Sequence, residues 1–339
     1  MTTEQINKLM TEGIFPYPGG QRELIETHIS WVILCDQFVY KIKKPMHYSF
    51  LDFSTPALRK YFCEREIELN KRLTEGIYLD VTTIRESGNQ LFIGGGQGIA
   101  IDYAVRMNRI NRKRQMDLLL LENKVTDNDI QRLAQKIASF HNRTIIIYEK
   151  DPMDIRNKFN DLETEKEFLQ AKLGIESSNI ISEAMHVSDA FMISSKSLLA
   201  ERLAAGYFRD CHGDLHSRNI FLLDEPQPFD CIEFNDDIRQ IDVLNEVAFL
   251  CMDLDAFDRQ DLSASFMQYY NKSFPSIKTK ADAQLFVYYK SYRANIRAKI
   301  NSLRAKTGSD STNKTKALST ANKYLQLMKG YLNSIATVS

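Results

Sequence analysis

The sequence predicts an α+β fold, with a small lobe of strands and one helix followed by a larger, mostly helical lobe. Two observations support this fold class. Apolar runs rich in β-branched and aromatic residues alternate with turn residues up to residue 105. Apolar residues then recur at helical spacing, except in one strand-rich stretch at 218–235. We therefore expect an N-terminal lobe at 1–105 and a helical C-terminal lobe at 106–339.

The first lobe is predicted to contain a hairpin and a helix. Segments 31–34 and 38–42 have the composition of two strands joined by a short turn. Residues 54–56 supply a hydroxyl cap and a proline, so a helix is expected from there to about residue 73. Its apolar stripe includes Glu66, and a carboxylate on a buried stripe is costly unless a cation pairs with it.

A glycine-rich segment at 94–98 separates two further predicted strands, 91–93 and 99–105. A loop that binds phosphate through backbone amides normally precedes a helix. This segment precedes a predicted strand, so we interpret it as a hairpin turn.

The second lobe is predicted to be a series of helices. Thr126 is expected to cap a helix that has one apolar face, and the segments 161–206 and 240–254 are also helical in pattern. Two long helices are expected at about 281–304 and 314–335.

The composition excludes several classes of protein. Lys plus Arg and Asp plus Glu both number 44, so the chain lacks the basic excess typical of nucleic-acid binding. The five cysteines are widely spaced without a C-x-x-C pair, which argues against a disulfide framework or a cysteine-based zinc site. No signal peptide and no apolar run long enough to span a bilayer is visible, so we expect a cytoplasmic protein without a membrane partner.

The strongest motif is HGDLHSRN at 212–219, in which Asn219 follows Asp214 by five residues. We expect an apolar strand at 220–223, a proline-containing turn at 224–228, and a second strand at 229–234 that carries Glu233. Such a hairpin would bring Asn219 close to Glu233. Phosphoryl transfer requires a carboxylate that orients an acceptor hydroxyl, together with oxygen ligands for Mg²⁺. Asp214, Asn219 and Glu233 supply that set.

The spacing H-x-D-x-x-x-x-N resembles the catalytic loop of the protein-kinase-like superfamily. The glycine and the second histidine resemble its aminoglycoside phosphotransferase and choline kinase branch. The segments THISWV, VYKIKKP, FLDFST, ELNKRL, YAVRM and IEFNDDIRQIDVLNEVAFLCMDL resemble an uncharacterised bacterial family within that branch, over residues 27–254. Some members of that family carry a fused P-loop ATPase domain, which we expect to be absent here because the chain has no G-x-x-x-x-G-K-[ST].

The resemblance implies a two-lobed protein-kinase-like fold, with a small antiparallel-sheet N-lobe that contains one helix and a larger helical C-lobe. It implies that Lys41 holds the phosphates of ATP, with Glu66 as its helix partner. Lys43 lies on the same strand face as Lys41 and is the alternative. The resemblance also implies that the backbone of 103–107, including Tyr103 and Val105, holds adenine.

The resemblance further implies roles for residues of the second lobe. Asp214 corresponds to the catalytic base and Asn219 to a Mg²⁺ ligand. Glu233 stands where the superfamily usually has the metal-binding Asp, a departure for which Asp236 or Asp237 could compensate. Asp242 corresponds to the buried Asp that steadies the catalytic loop.

A second departure is the absence of the glycine-rich phosphate loop. Residues 27–30 stand in its place, and their hydroxyl and amide groups, including those of Ser30, are candidates to contact phosphate.

The predicted function is therefore transfer of the γ-phosphate of Mg²⁺-bound ATP to a hydroxyl of a small molecule, with Asp214 as base. The alternatives are a non-catalytic nucleotide-binding pseudokinase and a nucleotidyltransferase with the same fold. The identity of the acceptor is open. An anionic acceptor is one hypothesis, because Lys290, Arg293 and Arg297 share one face of a predicted helix.

Overall fold

The computed structural model describes residues 1–17, 20–308 and 310–336. The strands in chain order are β1 (Glu23–Glu26), β2 (Ser30–Leu34), β3 (Phe38–Lys43), β4 (His47–Tyr48), β5 (Leu51–Asp52), β6 (Tyr78–Ser87), β7 (Gln90–Ile93), β8 (Ile99–Asn108), β9 (Phe208–Asp210), β10 (Ile220–Leu222), β11 (Pro226–Pro228) and β12 (Gln240–Asp242).

The helices in chain order are α1 (Thr3–Glu12), α2 (Pro56–Asn70), α3 (Met116–Leu121), α4 (Asp127–Arg143), α5 (Ile155–Asn160), α6 (Lys166–Leu173), α7 (Ile175–Ser194), α8 (Lys196–Ala204), α9 (Asp236–Arg239), α10 (Val243–Ala256), α11 (Gln260–Ser273), α12 (Lys280–Thr307) and α13 (Ser311–Ala336). Within the part of the chain that the structure describes, none of these helices combines the length and the apolar character needed to cross a membrane.

The chain divides into two compact units. The first comprises Met1–Leu119 and Arg218–Arg239, and the second comprises Leu120–Ser217 and the chain from Gln240 onward. The expected boundary at residue 105 differs from this division in two segments, 106–119 and 218–239. The first segment begins within β8, which pairs with β3, and its Gln115 forms a β-bridge with Phe221 of the second segment.

The first unit is built on a six-stranded antiparallel sheet in the order β1-β2-β3-β8-β6-β7. The predicted hairpin is confirmed as β2 and β3, in which Trp31 pairs with Ile42. The segment 94–98 joins two strands as expected, but it is not a hairpin turn, because β7 and β8 each pair with β6 and not with each other. Gly98 has φ +119°, and a Cβ there would lie 2.3 Å from the Glu86 carbonyl oxygen, so only glycine fits.

Helix α2 packs on the sheet of the first unit and begins as predicted. Thr55 accepts a hydrogen bond from the Leu58 amide through its side chain, and Pro56 occupies the first turn. The helix ends at Asn70, three residues before the expected end. Its packing against β8 and β6 fixes the position of Glu66 beneath the sheet.

The hairpin that follows the HGDLHSRN motif differs from its prediction. Its second strand is β11, in register Ile220 with Pro228, and not the segment 229–234. Asp230 ends the strand because its backbone is left-handed, with φ +63°. The two prolines of β11 are tolerated because a two-stranded ladder leaves each strand one unpaired edge.

The second unit is helical, apart from the two-stranded ladder of β9 and β12. The predicted cap at Thr126 is confirmed, since Thr126 and Asp129 form a reciprocal capping box at the start of α4. Thr279 and Asp282 form a second capping box at the start of α12, which packs along α13. These boundaries match the two predicted long helices to within a few residues.

Candidate active site

Two lysines on one face of β3 form the centre of a charge network in the first unit. Lys41 Nζ lies 2.8 Å from Glu66 Oε1, so the expected ion pair is present. Lys43 Nζ lies 2.7 Å from the other carboxylate oxygen, Glu66 Oε2. Alternation along the strand places the two lysines on the same face, and one buried carboxylate therefore binds both.

Glu66 is ionised in this environment. Burial alone would raise its pKa, but Lys41 and Lys43 outweigh burial and lower the pKa to about 2. The same pairing acts on the cations. Burial opposes the charge of Lys41, yet Asp230 and Glu66 raise the pKa of Lys41 well above its usual value.

Asp230 is the exposed end of the network and was not identified from the sequence. Its Oδ1 lies 2.5 Å from Lys41 Nζ, and 43% of its side chain is exposed. The backbone of Asp230 has φ +63°, a conformation that costs energy for a residue with a side chain. Its amide donates a hydrogen bond of 3.1 Å to the buried hydroxyl of Tyr78, which holds that conformation in place.

Glu233 is the buried end of the same network. Its Oε1 contacts Lys43 Nζ, and only 4% of its side chain is exposed. Lys43 also lies over the ring of Phe53, 4.9 Å from the centroid. Burial and the neighbouring Glu66 raise the pKa of Glu233, while Lys43 opposes this shift.

Further contacts fix the segment that carries Asp230 and Glu233. The Cys231 amide donates to Asn70 Oδ1 at 2.9 Å, and the buried Arg239 donates to the Ile232 carbonyl at 2.9 Å. Asp236, proposed from the sequence as a compensating metal ligand, accepts a hydrogen bond of 2.6 Å from Arg239. Asp236 and Asp230 are thus each paired with a cation, Arg239 and Lys41 respectively.

Asn219 lies at the start of the hairpin. Its carbonyl accepts a 2.8 Å hydrogen bond from the Phe229 amide, and Asp230 directly follows Phe229 in the chain. Glu233 lies three residues further on. The shifted register thus brings Asn219 next to Phe229, whereas the predicted hairpin was expected to bring it close to Glu233.

Ser30 begins β2 directly opposite Lys43. Its amide donates to Thr27 Oγ1 at 2.9 Å, and this contact closes the turn between β1 and β2. The Ser30 hydroxyl is buried and has no hydrogen-bond partner among the residues that the structure describes. The turn therefore uses the Ser30 amide and the Thr27 hydroxyl internally, and neither is available to phosphate.

Tyr103 and Val105 lie within β8, which is a central strand. Val105 pairs with Lys41 of β3 on one side and with Val81 of β6 on the other. Because a strand with two neighbours uses its backbone groups in the sheet, the expected adenine-binding role of backbone 103–107 needs correction. The chain leaves the sheet after Asn108, and the segment 109–111 follows, in which the Arg109 amide donates to the Gln37 carbonyl at 2.8 Å.

A group of partly buried apolar side chains adjoins that segment. Phe221 and Phe229 stack with ring centroids 4.6 Å apart, and both pack against the buried cluster around Val105 and Met107. Val39 and Ile110 pack against the same cluster. This surface has the apolar and aromatic character of a site for a planar ring.

In the second unit, Asp214 lies in the loop after β9. Its Oδ2 is 3.4 Å from His216 Nε2, and its amide donates to His212 Nδ1 at 3.3 Å. Burial opposes ionisation, but His216, His212 and Arg297 hold the pKa of Asp214 well below its usual value. Its side chain is 37% exposed, so an ionised carboxylate is accessible.

Two carboxylates of α10 hold this loop in place. Glu246 accepts from the amides of His212 at 2.6 Å and Gly213 at 3.0 Å. Asp253 accepts from the amide of Ser217 at 2.9 Å and from its hydroxyl at 2.5 Å. The sequence analysis missed both residues, although their spacing of seven places them on one helix face.

Asp242 is buried at the junction of β12 and α10. It accepts from Arg202 Nε at 2.6 Å and from the Leu244 amide at 2.8 Å, and so caps α10. Asp242 also ends β12, which pairs with β9, the strand that leads into the loop. It therefore positions the two elements that flank the loop, while Glu246 and Asp253 bind the loop itself.

The basic face predicted on α12 is largely used within the fold. Lys290 forms an ion pair with Asp255. Arg293 donates to Asn245 Oδ1 at 2.7 Å and to the Gly213 carbonyl at 3.2 Å. Arg297 is buried. These contacts do not favour the hypothesis of an anionic acceptor bound by this face.

The donor chemistry of the first unit fits Mg²⁺. Asp230 and Asn219 offer a carboxylate and an amide oxygen, the ligand types that this cation prefers. A different group, His141, Cys211 and Glu246, has ligand atoms within 4.8 Å of one another in the second unit. We interpret that group as packing beneath the loop, because both Glu246 oxygens accept loop amides.

Known structures share this architecture. A GDP complex of aminoglycoside 2'-phosphotransferase-IIIa is 14% identical to the chain, and the match covers 95% of this chain and 98% of that one with a TM-score of 0.53. A choline/ethanolamine kinase family protein from Mesorhizobium loti is 12% identical, with coverage of 97% and 100% and a TM-score of 0.49. The first likeness shows that the chain has the protein-kinase-like fold of an aminoglycoside phosphotransferase.

Relatives in sequence include mycobacterial proteins that are named as uncharacterized. Proteins of Mycobacterium tuberculosis and Mycobacterium bovis are 31% identical over 288 residues, which is 84% of this chain and 55% of theirs. The chain therefore spans about half the length of the curated relatives it matches. No protein-family model matches the chain.

Proposed function

We propose that the protein transfers the γ-phosphate of ATP to a hydroxyl group of a small molecule. The observation that carries this proposal is the network of Lys41, Glu66 and Asp230, which joins a partly exposed lysine to a carboxylate with an exposed side chain. A purely structural network would have no need of a left-handed aspartate at its exposed end. The GDP-bound phosphotransferase of the same fold supports a nucleotide as ligand.

Each residue has a distinct role in this proposal. Lys41 binds phosphate oxygens as a point charge, and Glu66 orients it. Asn219 and Asp230 would hold Mg²⁺, which would supply positive charge to the phosphate oxygens. The adenine ring packs on Phe221 and Phe229, and its polar edge faces backbone 109–111.

Asp214 acts on the acceptor. Its low pKa keeps the carboxylate ionised at neutral pH, so it accepts a hydrogen bond from the acceptor hydroxyl and orients the oxygen for attack. The hydroxyl proton passes to Asp214 as the new O–P bond forms and the bond to the leaving ADP breaks. Glu246 and Asp253 keep the loop in place during this step.

The test is release of ADP from Mg·ATP across pooled sugars, polyols, amino alcohols, nucleosides and aminoglycosides. We expect one pool to stimulate ADP release, and Asp214→Asn to lower that rate by roughly 10²–10⁴ while nucleotide binding is retained. Near-normal turnover in the variant would contradict the role of Asp214. Nucleotide binding without turnover in any pool would favour a pseudokinase, and a product that carries AMP would favour nucleotidyl transfer.

A further inference from the structure

The charge network of the first unit contains one lysine more than phosphate binding requires. Its members alternate in sign from Asp230 through Lys41, Glu66 and Lys43 to Glu233. Three carboxylates face two ammonium groups, and Glu66 at the centre gives one oxygen to each lysine. Either lysine alone would neutralise Glu66, so the second lysine requires a separate explanation.

The two halves of the network differ in exposure. Lys41 and Asp230 retain exposed fractions of 14% and 43%, whereas Lys43 is fully buried and Glu233 is only 4% exposed. A ligand can therefore reach the Lys41 half. Lys43 lies against the ring of Phe53, and Lys43 and Glu233 neutralise each other's charge.

Binding of phosphate affects the contacts of Lys41 but not those of Lys43. Phosphate oxygens compete with Glu66 and Asp230 for the three N–H groups of Lys41. If Lys41 were the sole partner of Glu66, each nucleotide exchange would loosen a buried carboxylate and the helix α2 that carries it. Lys43 remains bonded to Glu66 throughout, because no ligand reaches it.

We propose that Lys43 and Glu233 form a latch that fixes Glu66 and α2 independently of the nucleotide, so that Lys41 can exchange partners freely. Lys43 is thus a positioning residue that acts through Glu66, and Glu233 is the counter-ion of Lys43 and not a Mg²⁺ ligand. The inference rests on the proposed function for the role of Lys41, but its structural part does not require turnover.

The first experiment compares thermal unfolding of Lys41→Met and Lys43→Met without nucleotide. Loss of Lys43 leaves the buried Glu233 and one oxygen of Glu66 without a cation, so we expect its Tm to fall by roughly 5 °C or more. Lys41→Met keeps Glu66 bonded to Lys43, so its Tm should fall less. Lys124→Met is the control, since Lys124 and its partner Glu122 are both exposed at the surface and its loss should have little effect.

A double variant separates the latch from simple loss of fold. Lys43→Met with Glu233→Met replaces both charges by apolar side chains of similar length, and we expect most of the lost Tm to return. A Tm that falls as far in Lys41→Met as in Lys43→Met would overturn the latch, as would a double variant no more stable than Lys43→Met.

The second experiment measures binding of a non-hydrolysable ATP analogue by calorimetry as the Mg²⁺ concentration is varied. We expect Asp230→Asn to raise the Mg²⁺ requirement by about tenfold, equivalent to 1.4 kcal/mol, and Glu233→Gln to raise it far less. An equal effect of the two variants would restore Glu233 as a metal ligand. A wild-type protein that binds no nucleotide would refute the proposed function, while the thermal comparison would still decide on the latch.

Discussion

At the scale of single residues, two of the candidate functional carboxylates, Glu66 and Asp214, are ionised because of different neighbours. Glu66 is fully buried and depends on two lysine ammonium groups. Asp214 is partly exposed and depends on His216, His212 and Arg297. Because burial opposes the charge in both cases, removing the cations would leave each carboxylate with a raised pKa.

The lowered pKa of Glu66 predicts a defined loss of stability in acid. Its pKa is about 2 in the fold against an ordinary 4.5, so ionised Glu66 contributes stability above pH 4.5 that is lost as the pH falls toward 2. In urea unfolding from pH 7 to pH 2.5, the free energy of unfolding of wild type should exceed that of Glu66→Gln by less and less as the pH falls through this window. An advantage that stays constant with pH would contradict the prediction.

Glu233→Gln is the matched control for that experiment. The pKa of Glu233 is raised, so its ionisation costs stability, and protonation on acidification restores some of it. The free energy of unfolding of wild type relative to that of Glu233→Gln should therefore not decrease as the pH falls through the same window.

At the scale of elements, helix α10 determines the shape of the loop that carries Asp214. The helix is capped by Asp242, and it presents Glu246 and Asp253 to backbone amides of the loop. Glu246 accepts the amides of His212 and Gly213 through different oxygens, Oε1 and Oε2. Substitution by an amide leaves only one oxygen to accept.

We predict that Glu246→Gln loosens this loop. One of the amides of His212 and Gly213 loses its acceptor, at a cost of roughly 1–3 kcal/mol for a buried unpaired donor. Hydrogen exchange of a peptide spanning 208–217 should become faster and acceptor-dependent turnover should fall. Glu201→Gln, at an exposed position of α8, should leave both unchanged, and equal exchange in the two variants would refute the role of Glu246.

At the scale of the whole molecule, the groups proposed to bind nucleotide all belong to the first unit. They are the network around Lys41, the apolar surface of Phe221 and Phe229, and the segment 109–111. The curated relatives are about twice as long as the matched region. We therefore expect nucleotide to bind to residues that this chain contains.

Mg·ATP should stabilise this chain without any further domain. A ligand that binds only the folded state at about 100 times its Kd adds roughly 2.7 kcal/mol of stability, which should raise the Tm by several degrees. EDTA should remove most of this increase, because Asp230 and Asn219 then lack their metal. Lys41→Met should also remove it, and an unchanged wild-type Tm at saturating Mg·ATP would contradict nucleotide binding.

Local patterns in the sequence predicted much of this architecture. The hairpin at Trp31, the helix caps at Thr55 and Thr126, and the long helices follow from short-range composition. The cost of a buried charge predicted that Glu66 has a cation partner, and the family resemblance implied that this partner is Lys41. These features depend on residues close in sequence or on one strong physical penalty.

Features set by distant pairing were not predicted. Asp230 lies 189 residues from Lys41, and no local pattern indicates that the two meet. The use of β8 backbone in two ladders depends on strand order, which composition does not determine. The second strand of the hairpin was placed too late, because prolines were taken as turn residues although an edge strand tolerates them.

The left-handed backbone of Asp230 has a consequence for inheritance. Among the genetically encoded residues, glycine, asparagine and aspartate adopt this conformation most readily, and only aspartate brings a carboxylate. Asparagine and glycine codons are each a single nucleotide away from those of aspartate. Descendants of this gene that keep the fold but abandon phosphoryl transfer should therefore carry asparagine or glycine at position 230, and this one codon would distinguish them from active copies.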